Sequence, residues 1–234
     1  MPQLATIADS PYYQGMRTTS PKQLLHGRKR KWETGDYLLP EEIAENKLNF
    51  AEIFPDNPDA PVEIEIGVGK GTFLLERSKE NPQINFLGVE YAKPYAVYVA
   101  DRFRRTGQQN AKMLCTDAGP FFPNALPDNS IWRLHIYYPD PWPKRKHRRR
   151  RLIQPKFLEQ ARRVLKLGGQ LLLVTDHRDY FEHMTRVITD APGFARTDFP
   201  KLLESDVHIV GTNFEKKYID EKRSFYFAAM MKYC

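Results

Sequence analysis

Residues 61–71, PVEIEIGVGKG, carry the clearest fold signal in this chain. From Pro61 to Ile66 polar and apolar side chains alternate and β-branched residues are frequent, which predicts a strand. Gly67, Gly69 and Gly71 follow at once, and glycines at this spacing predict a tight turn whose backbone can approach a ligand closely. The stretch therefore predicts a strand that ends at a binding turn.

The same alternation of strand and helix continues along the chain. The later strands are predicted over Asn85–Glu90, Lys112–Cys115, Ile131–Tyr138, Gly169–Asp176 and, at the tail, Arg223–Tyr233. Helices are predicted over Thr72–Lys79, Pro94–Arg105, Pro155–Lys166 and Arg178–Thr189. Strands that alternate with helices favour an α/β fold, with a doubly wound and mostly parallel sheet that carries helices on both faces.

Residues 1–55 differ from the rest in being polar, rich in Pro and Tyr and weakly periodic. They predict a basic N-terminal arm, partly irregular, with one short helix near residues 40–46. We expect this arm to lie over the main domain or over its ligand. Residues 56–234 are predicted to form the main domain.

The composition excludes several classes of protein. With 234 residues and 41% hydrophobic side chains, the chain can bury one core. Cys115 and Cys234 are too few for a disulfide framework or a four-cysteine zinc site, and the histidines lack metal-ligand spacing. No stretch has the length of a membrane span or the pattern of a signal peptide. We therefore expect a soluble, cytoplasmic protein without a bound metal.

The net charge of +7 is concentrated in two places. Lys144, Arg145 and Lys146 together with Arg148–Arg151 supply seven cations in eight positions, and a second basic cluster spans residues 28–31. A run of cations without acids is either solvated or faces a polyanion, and nuclear localisation is a third interpretation. Because the longer run adjoins the predicted site described below, a nucleic-acid backbone is favoured.

Acidic residues stand where the first three predicted strands end. In open α/β sheets, ligands bind beyond the carboxyl ends of the strands. Glu65 precedes the glycine turn, Glu90 ends the second strand, and Asp117 follows the third. Glu90 is placed to accept hydrogen bonds from two ribose hydroxyls, and Asp117 to accept one from an adenine amino group. The edge of the sheet is thus predicted to bind a nucleoside.

Two other nucleotide-binding motifs fail on spacing at this turn. A dinucleotide fingerprint needs glycine at Thr72, and a Walker loop needs glycine at Ile64 and Ser or Thr at Gly71. The remaining pattern, an acid before G-x-G-x-G and a second acid at the end of the next strand, resembles the S-adenosylmethionine site of class I methyltransferases. A tight turn without a ligand is the alternative interpretation of the glycines alone.

Residues 138–144, YPDPWPK, form the most informative loop of the chain. Each proline fixes its own φ, and Asp140 and Trp142 each precede a proline and are therefore expected to be extended. Such a stiff loop would hold a carboxylate and an aromatic ring in defined directions at a strand end, as preorganised catalysis requires. A plain surface loop with Trp142 packed into the body is the alternative interpretation.

The run Pro139-Asp140-Pro141-Trp142-Pro143-Lys144-x-x-His147-x-x-Arg150-Arg151 resembles the signature of the bacterial tRNA (guanine-N7)-methyltransferase family. Further matches in that family's order are Glu65-Ile66-Gly67, Thr175-Asp176 and Gly211-Thr212-Asn213-Phe214-Glu215. The resemblance covers about residues 60–234. It implies a seven-stranded, Rossmann-like class I methyltransferase domain that transfers a methyl group from S-adenosylmethionine to N7 of guanine 46 in the variable loop of tRNA.

The resemblance also implies roles for individual residues. The donor site would contain Glu65, Gly67, Gly69, Gly71, Glu90, Asp117 and Asp140, with Asp140 also catalytic. Contacts to the substrate would come from Lys144, Asp176, Thr212, Asn213, Phe214 and Glu215. Contacts to tRNA would come from Lys146, His147, Arg148, Arg149, Arg150 and Arg151. Phe214 stands where the family more often has Tyr, and Tyr138 where it more often has Phe.

Rival functions stay open at this point. One is a class I methyltransferase that acts on another RNA, an mRNA cap or a protein. The other is a noncatalytic RNA-binding protein of this fold, in which the donor site would be degraded. Because the acids and glycines of that site are intact, an enzyme is favoured. The sequence leaves both a monomer and a homodimer open.

Overall fold

The structure is a computed structural model that describes residues 31–203, 210–212, 215, 219–221 and 223–234. Its strands are β1 (Val62–Ile66), β2 (Asn85–Glu90), β3 (Ala111–Cys115), β4 (Ile131–Tyr137), β5 (Leu165–Thr175), β6 (Phe194–Thr197) and β7 (Tyr226–Lys232). Its α-helices are α1 (Phe50–Ile53), α2 (Thr72–Glu80), α3 (Lys93–Thr106), α4 (Ala118–Ala125), α5 (Pro155–Val164) and α6 (Arg178–Thr189). Turns of 3-10 helix span Gly35–Tyr37, Glu41–Glu45 and Arg145–Arg150.

The seven strands form one sheet in the order β3-β2-β1-β4-β5-β7-β6. Strands β1 to β5 pair in parallel, whereas β7 is antiparallel to both β5 and β6. The strand order reverses between β1 and β4, and this reversal opens a crevice beyond the carboxyl ends of the two strands. The predicted doubly wound, mostly parallel sheet is confirmed.

Most predicted elements lie where the sequence placed them, and β2 and α6 have the predicted bounds. The helix predicted over residues 155–166 is too long, because the chain enters β5 already at Leu165, which pairs with Ile131. The pairing register shifts between Ile131 and Arg133, so the pairing of β4 with the start of β5 is irregular. The short run from Leu165 to Leu167 has no periodicity that would separate helix from strand.

Helix α4 was missed because its sequence, AGPFFPNA, contains helix-breaking residues. The side chain of Asp117 caps the helix by accepting a hydrogen bond from the backbone N–H of Gly119 at 2.8 Å. Phe121 and Phe122 are each 1% exposed, and their burial holds the helix against the sheet despite Pro123. Tertiary packing therefore overrides local propensity here.

Strand β1 lies at the centre of the sheet, and all five of its residues are buried. Parallel strands that are covered on both faces are usually continuous apolar runs. In β1, however, the side chains of Glu63 and Glu65 lie inside, with 0% and 2% of each residue exposed. The alternation that predicted the strand therefore marks two buried carboxylates, and buried carboxylates require partners.

Residues 36–39 pack along the outer strand β3. Leu38 bridges to Met113, and the backbone N–H of Leu39 donates to the Met113 carbonyl at 2.8 Å. Tyr37 is buried, and Lys112 pairs with Asp36 at 2.6 Å. This segment covers an edge that would otherwise be open to pairing with another chain. A boundary at residue 55 between arm and domain stays a prediction, and most of the basic cluster at 28–31 lies outside the described residues.

Membrane-crossing helices were sought over the described part of the chain. None of the helices there combines the length and the apolar character that such a span needs.

Candidate active site

The turn after β1 has the backbone conformation that its glycines allow. Gly67, Gly69 and Gly71 have φ angles of +79°, +55° and +70°. A Cβ atom at Gly71 would lie 2.6 Å from Cγ1 of Val99, so this glycine lets α3 approach closely. A Cβ atom at Gly67 would meet nothing within 4 Å, so the turn is open on that side. Open backbone at a strand end is suited to a bound ligand.

Glu65 carries the clearest sign that a ligand belongs at this turn. Its Oε2 atom is buried and has no hydrogen-bond partner among the described residues. Burial, and then the charge of Glu90, raises the pKa of the Glu65 carboxyl well above its ordinary value. A buried acceptor without a partner is costly unless a ligand supplies a donor or a positive charge. The site therefore fits a ligand with an ammonium or hydroxyl group, such as S-adenosylmethionine.

The carboxylate of Glu90 joins the ends of β1 and β2. Its two oxygens accept hydrogen bonds from the backbone N–H groups of Gly69 and Ala92, each at 2.9 Å. Beside it, a cleft of about 640 Å³ lies between Tyr91, Asp117 and the 3-10 turn Glu41–Glu45 of the N-terminal arm. Asp117 is exposed, and its Oδ1 caps α4. The structure thus brings the three predicted acids to one edge, and Glu90 also shapes the turn.

Replacing Glu65 with glutamine is expected to stabilise the donor-free protein at neutral and higher pH. In the unfolded chain this carboxyl ionises near its ordinary pKa of 4.5, whereas in the folded protein its pKa is raised. A raised pKa stabilises the fold below pH 4.5 and loses that contribution as pH rises toward the folded-state value. Glu65→Gln removes this dependence and should weaken donor binding about tenfold or more, because an amide lacks the charge.

Melting temperatures at acid, neutral and alkaline pH, with calorimetry of S-adenosylmethionine binding, check this prediction. Glu52→Gln, at an exposed residue, is the matched control and should change neither property. Identical pH profiles for wild type and Glu65→Gln would contradict it.

The loop after β4 departs from one expectation. Trp142 was expected to be extended before its proline, but its φ is +40°, so that prediction is wrong. The centre of the Trp142 ring lies 5.8 Å from that of His147 and 5.0 Å from the guanidinium carbon of Arg150. These contacts stabilise the positive φ of Trp142. Tyr138 also has a positive φ, of +53°. Such conformations cost free energy and cluster at functional sites. Asp140 lies between the two and is exposed.

The basic run divides into exposed and buried cations. Arg151 is 2% exposed: it donates to the Pro141 carbonyl at 2.8 Å, pairs with Asp179 and lies over the ring of Tyr180. The prediction that Arg151 contacts tRNA is therefore corrected, because its guanidinium has no free surface. Arg148 also pairs with Asp179, at 2.8 Å. The exposed cations of the run are Lys144, Arg145, Lys146, Arg149 and Arg150. RNA contact stays a prediction for Lys146 and for residues 147–150, and substrate contact stays a prediction for Lys144.

The residues predicted to contact substrate lie at the neighbouring strand end and in a later segment. Asp176 follows β5 and accepts a hydrogen bond from Arg223 at 2.8 Å. Glu215 is fully buried, and its Oε2 accepts from the backbone N–H groups of Val210 and Gly211 at 3.0 and 2.6 Å. Its own N–H donates to Thr212 Oγ1 at 3.0 Å.

Through these hydrogen bonds, Glu215 stabilises the conformation of residues 210–212. Asn213 and Phe214 lie outside the described residues. Substrate contact at all of these positions stays a prediction.

A buried polar network under the site was missed at the sequence level. Glu63 accepts hydrogen bonds from Arg77 at 3.1 and 3.2 Å and from Arg133 at 3.1 Å. His135 Nε2 lies 2.9 Å from Glu63, and its Nδ1 lies 2.6 Å from the Tyr137 hydroxyl. Glu63, Arg133 and His135 come from the paired strands β1 and β4. The sequence signal for it was Glu63, a charged residue in β1, which is a central strand of the sheet.

The pKa values of Glu63 and His135 are both lowered in this network. Burial raises the pKa of Glu63, but its hydrogen bonds from His135 and Arg77 outweigh that effect and lower it to about 2. Burial lowers the pKa of His135 below its ordinary value, which favours the neutral ring. The neutral ring donates from Nε2 to the Glu63 carboxylate and accepts at Nδ1 from Tyr137. The network is therefore ionised at Glu63 and fully hydrogen-bonded there.

No group of three or more His, Cys, Asp or Glu side chains suited to a metal is found within the described ranges.

Comparisons with known proteins agree with this geometry. A family model described as "Putative methyltransferase" matches residues 59–228. The tRNA (guanine-N(7)-)-methyltransferase of Shewanella amazonensis is 37% identical over 171 residues, which are 73% of this chain and 71% of that protein. The protein of that name from Photobacterium profundum is 36% identical over 67% of this chain and 63% of its own length. That from Vibrio cholerae is 40% identical over 63% and 62%.

Solved structures match the fold at low sequence identity. A 30S ribosomal A1408 methyltransferase from an uncultured bacterium has a TM-score of 0.53 at 15% identity, covering 80% of this chain and 95% of that chain. A SAM-dependent methyltransferase from Aquifex aeolicus has a TM-score of 0.50 at 15% identity, covering 83% and 94%. These likenesses establish the class I, Rossmann-like fold. With the family model spanning most of the sheet, the chain belongs to this methyltransferase family.

Proposed function

We propose that this protein is a tRNA (guanine(46)-N7)-methyltransferase, which transfers a methyl group from S-adenosylmethionine to N7 of guanine 46 and forms 7-methylguanosine. The proposal is supported above all by the arrangement of side chains at the carboxyl ends of the strands. There Glu65, a buried carboxylate whose Oε2 has no hydrogen-bond partner among the described residues, lies beside an open glycine turn. The Asp140 loop and the exposed cations follow the neighbouring strand. The names of the relatives supply the substrate, and a cytoplasmic location is part of the proposal.

The residues that would hold the methyl donor are those of the β1 to β3 ends. Glu65 would bind its ammonium or a hydroxyl, the turn from Gly67 to Gly71 would lie along it, and Glu90 and Asp117 would bind its ribose and adenine. Bound there, the donor supplies an electrophilic methyl group. Glu90 is already held by two backbone N–H groups, so its carboxylate is preorganised for this task.

The Asp140 loop would act on the guanine. N7 carries a lone pair in the ring plane and no proton, so a general base at N7 is unnecessary, and alignment dominates the catalysis. Positive charge develops on the purine as the methyl group is transferred. The Asp140 carboxylate would stabilise that charge, either directly or by accepting hydrogen bonds from N1 and N2 of the guanine. Asp176, which follows the neighbouring strand, would share the same base edge.

The exposed cations would bind the tRNA backbone. Replacing both Lys146 and Arg149 by alanine is expected to lower tRNA affinity about tenfold and to flatten the dependence of log K on log salt by about 1.4 to 1.8, because two phosphate contacts are lost. Binding titrations at several salt concentrations measure both. Lys79→Ala, an exposed cation at the opposite edge of the sheet, should leave the slope unchanged. An unaltered slope in the double variant would show that the run is merely solvated.

Transfer of labelled methyl groups to separated RNA classes tests the proposed function. Purified unmodified tRNA, ribosomal RNA and capped mRNA are offered in parallel with S-adenosylmethionine. The proposal expects label in tRNA alone. Label in another RNA would assign a different substrate, and donor binding without labelled RNA would point away from RNA altogether.

A further inference from the structure

Arg77 in α2 joins two parts of the molecule that are distant in sequence. Its Nε and Nη2 atoms donate to the Glu63 carboxylate, and its Nη1 donates to the backbone carbonyl of Leu202 at 2.7 Å. The residue is 7% exposed. A single planar guanidinium therefore spans from the central strand β1 to the segment after β6, which is a geometry that lysine cannot reproduce.

The segment after β6 leads to the residues predicted to contact guanine. Leu202, Leu203 and Val210 are buried in it, and Leu202 and Val210 pack in one cluster with Phe73 of α2. Beyond Val210 come Gly211, Thr212 and Glu215, whose mutual hydrogen bonds are described above. A Cβ atom at Gly211 would lie 2.6 Å from Leu203 Cδ1, so the two ends of the segment touch. Anchoring Leu202 therefore fixes the residues that follow Val210.

The other end of the network leads to the Asp140 loop. Glu63 is held by Arg133 and His135, which belong to β4, and β4 runs directly into the loop that carries Asp140. A continuous path of buried hydrogen bonds thus extends from β4 through Glu63 and Arg77 to Leu202. It connects the two sides between which a guanine would lie.

We propose that Arg77 is a positioning residue, which holds the Thr212 and Glu215 segment in place relative to the Asp140 loop. The inference rests on the proposed function, because it takes that segment and that loop as the two sides of the guanine site. Glu63 stays ionised across the physiological range, so the anchor does not depend on pH there. A buried ion pair is by itself weak evidence of stabilisation, and positioning is the role that the Leu202 bond adds.

The substitution Arg77→Lys separates positioning from stability. Lysine keeps a cation beside Glu63 but lacks the fork that reaches both the carboxylate and the Leu202 carbonyl. We expect the KM for tRNA to rise about tenfold, as for loss of a charge-assisted hydrogen bond, while kcat and the Kd for S-adenosylmethionine stay within about twofold. Arg163→Lys is the matched control, because Arg163 also bridges backbone carbonyls and a carboxylate but lies away from the site.

Hydrogen exchange supplies a readout that needs no activity. In the wild type, the amides of Val210 and Gly211 donate to Glu215, and Arg77→Lys should speed their exchange at least about tenfold while β1 amides are unchanged. Unaltered exchange at both residues, or an equal rise in KM for Arg163→Lys, would overturn the proposal. If the wild type methylates no tRNA, the proposed function fails, whereas the exchange experiment still decides whether Arg77 anchors the segment.

Discussion

Replacing Asp140 with asparagine is expected to lower kcat by about 100- to 1,000-fold, the usual cost of removing one preorganised electrostatic group from a transition state. Asparagine has nearly the same shape, so the turn between Tyr138 and Trp142 should persist. The charge that offsets the positive purine would be lost. Because the effect belongs to the transition state, the Kd for tRNA should change by no more than about twofold.

Single-turnover methyl transfer and tRNA binding titrations measure the two quantities separately. Asp128→Asn is the matched control, since Asp128 is exposed and pairs with Arg163 at the amino-terminal side of β4. Equal losses in kcat and in tRNA affinity would contradict the assignment, because they would show that Asp140 also stabilises the bound tRNA and not the transition state alone.

Replacing Arg151 with methionine is expected to destabilise the protein by about 2 to 3 kcal/mol, although this residue belongs to the basic signature. The substitution removes a buried guanidinium that donates to the Pro141 carbonyl, pairs with Asp179 and packs on Tyr180. The salt bridge to Asp179 contributes only a small part of this destabilisation, because the Asp179 side chain is 36% exposed and solvent screens the pair. The bond to Pro141 and the packing account for most of the loss.

Urea unfolding measures this effect, with Arg149→Met as the matched control from the exposed part of the same run. The control should unfold at the wild-type urea concentration and show weaker tRNA binding instead. The account of the loop would be contradicted if Arg151→Met left unfolding unchanged and flattened the salt dependence of tRNA binding, as a phosphate contact would.

The fold was largely predictable from local pattern, because the alternation of strands with helices has few solutions in a parallel sheet. The glycine turn was predictable for a similar reason, since the positive φ angles at Gly67, Gly69 and Gly71 are ones that glycine adopts at no steric cost. Helix α4 was not predictable, because the burial of Phe121 and Phe122 depends on contacts distant in sequence.

The division of the basic run could not be predicted from the run itself. Arg151 is buried because Asp179, 28 residues later in the chain, lies against it. Trp142 has a positive φ because its ring packs on His147 and Arg150, which a rule about its neighbouring proline does not include. Likewise, Glu63 resembled an ordinary polar position of a strand until the topology placed Arg77, Arg133 and His135 around it. In each case tertiary contacts decide what a local pattern leaves open.

Nucleoside analysis of one tRNA, after reaction with the protein and S-adenosylmethionine, decides whether guanine 46 is the methylated base. An unmodified transcript that carries guanine at position 46 is compared with the same transcript carrying adenine there. We expect 7-methylguanosine in the first transcript and none in the second. Equal amounts of 7-methylguanosine in both transcripts, or a methylated nucleoside other than 7-methylguanosine, would contradict it.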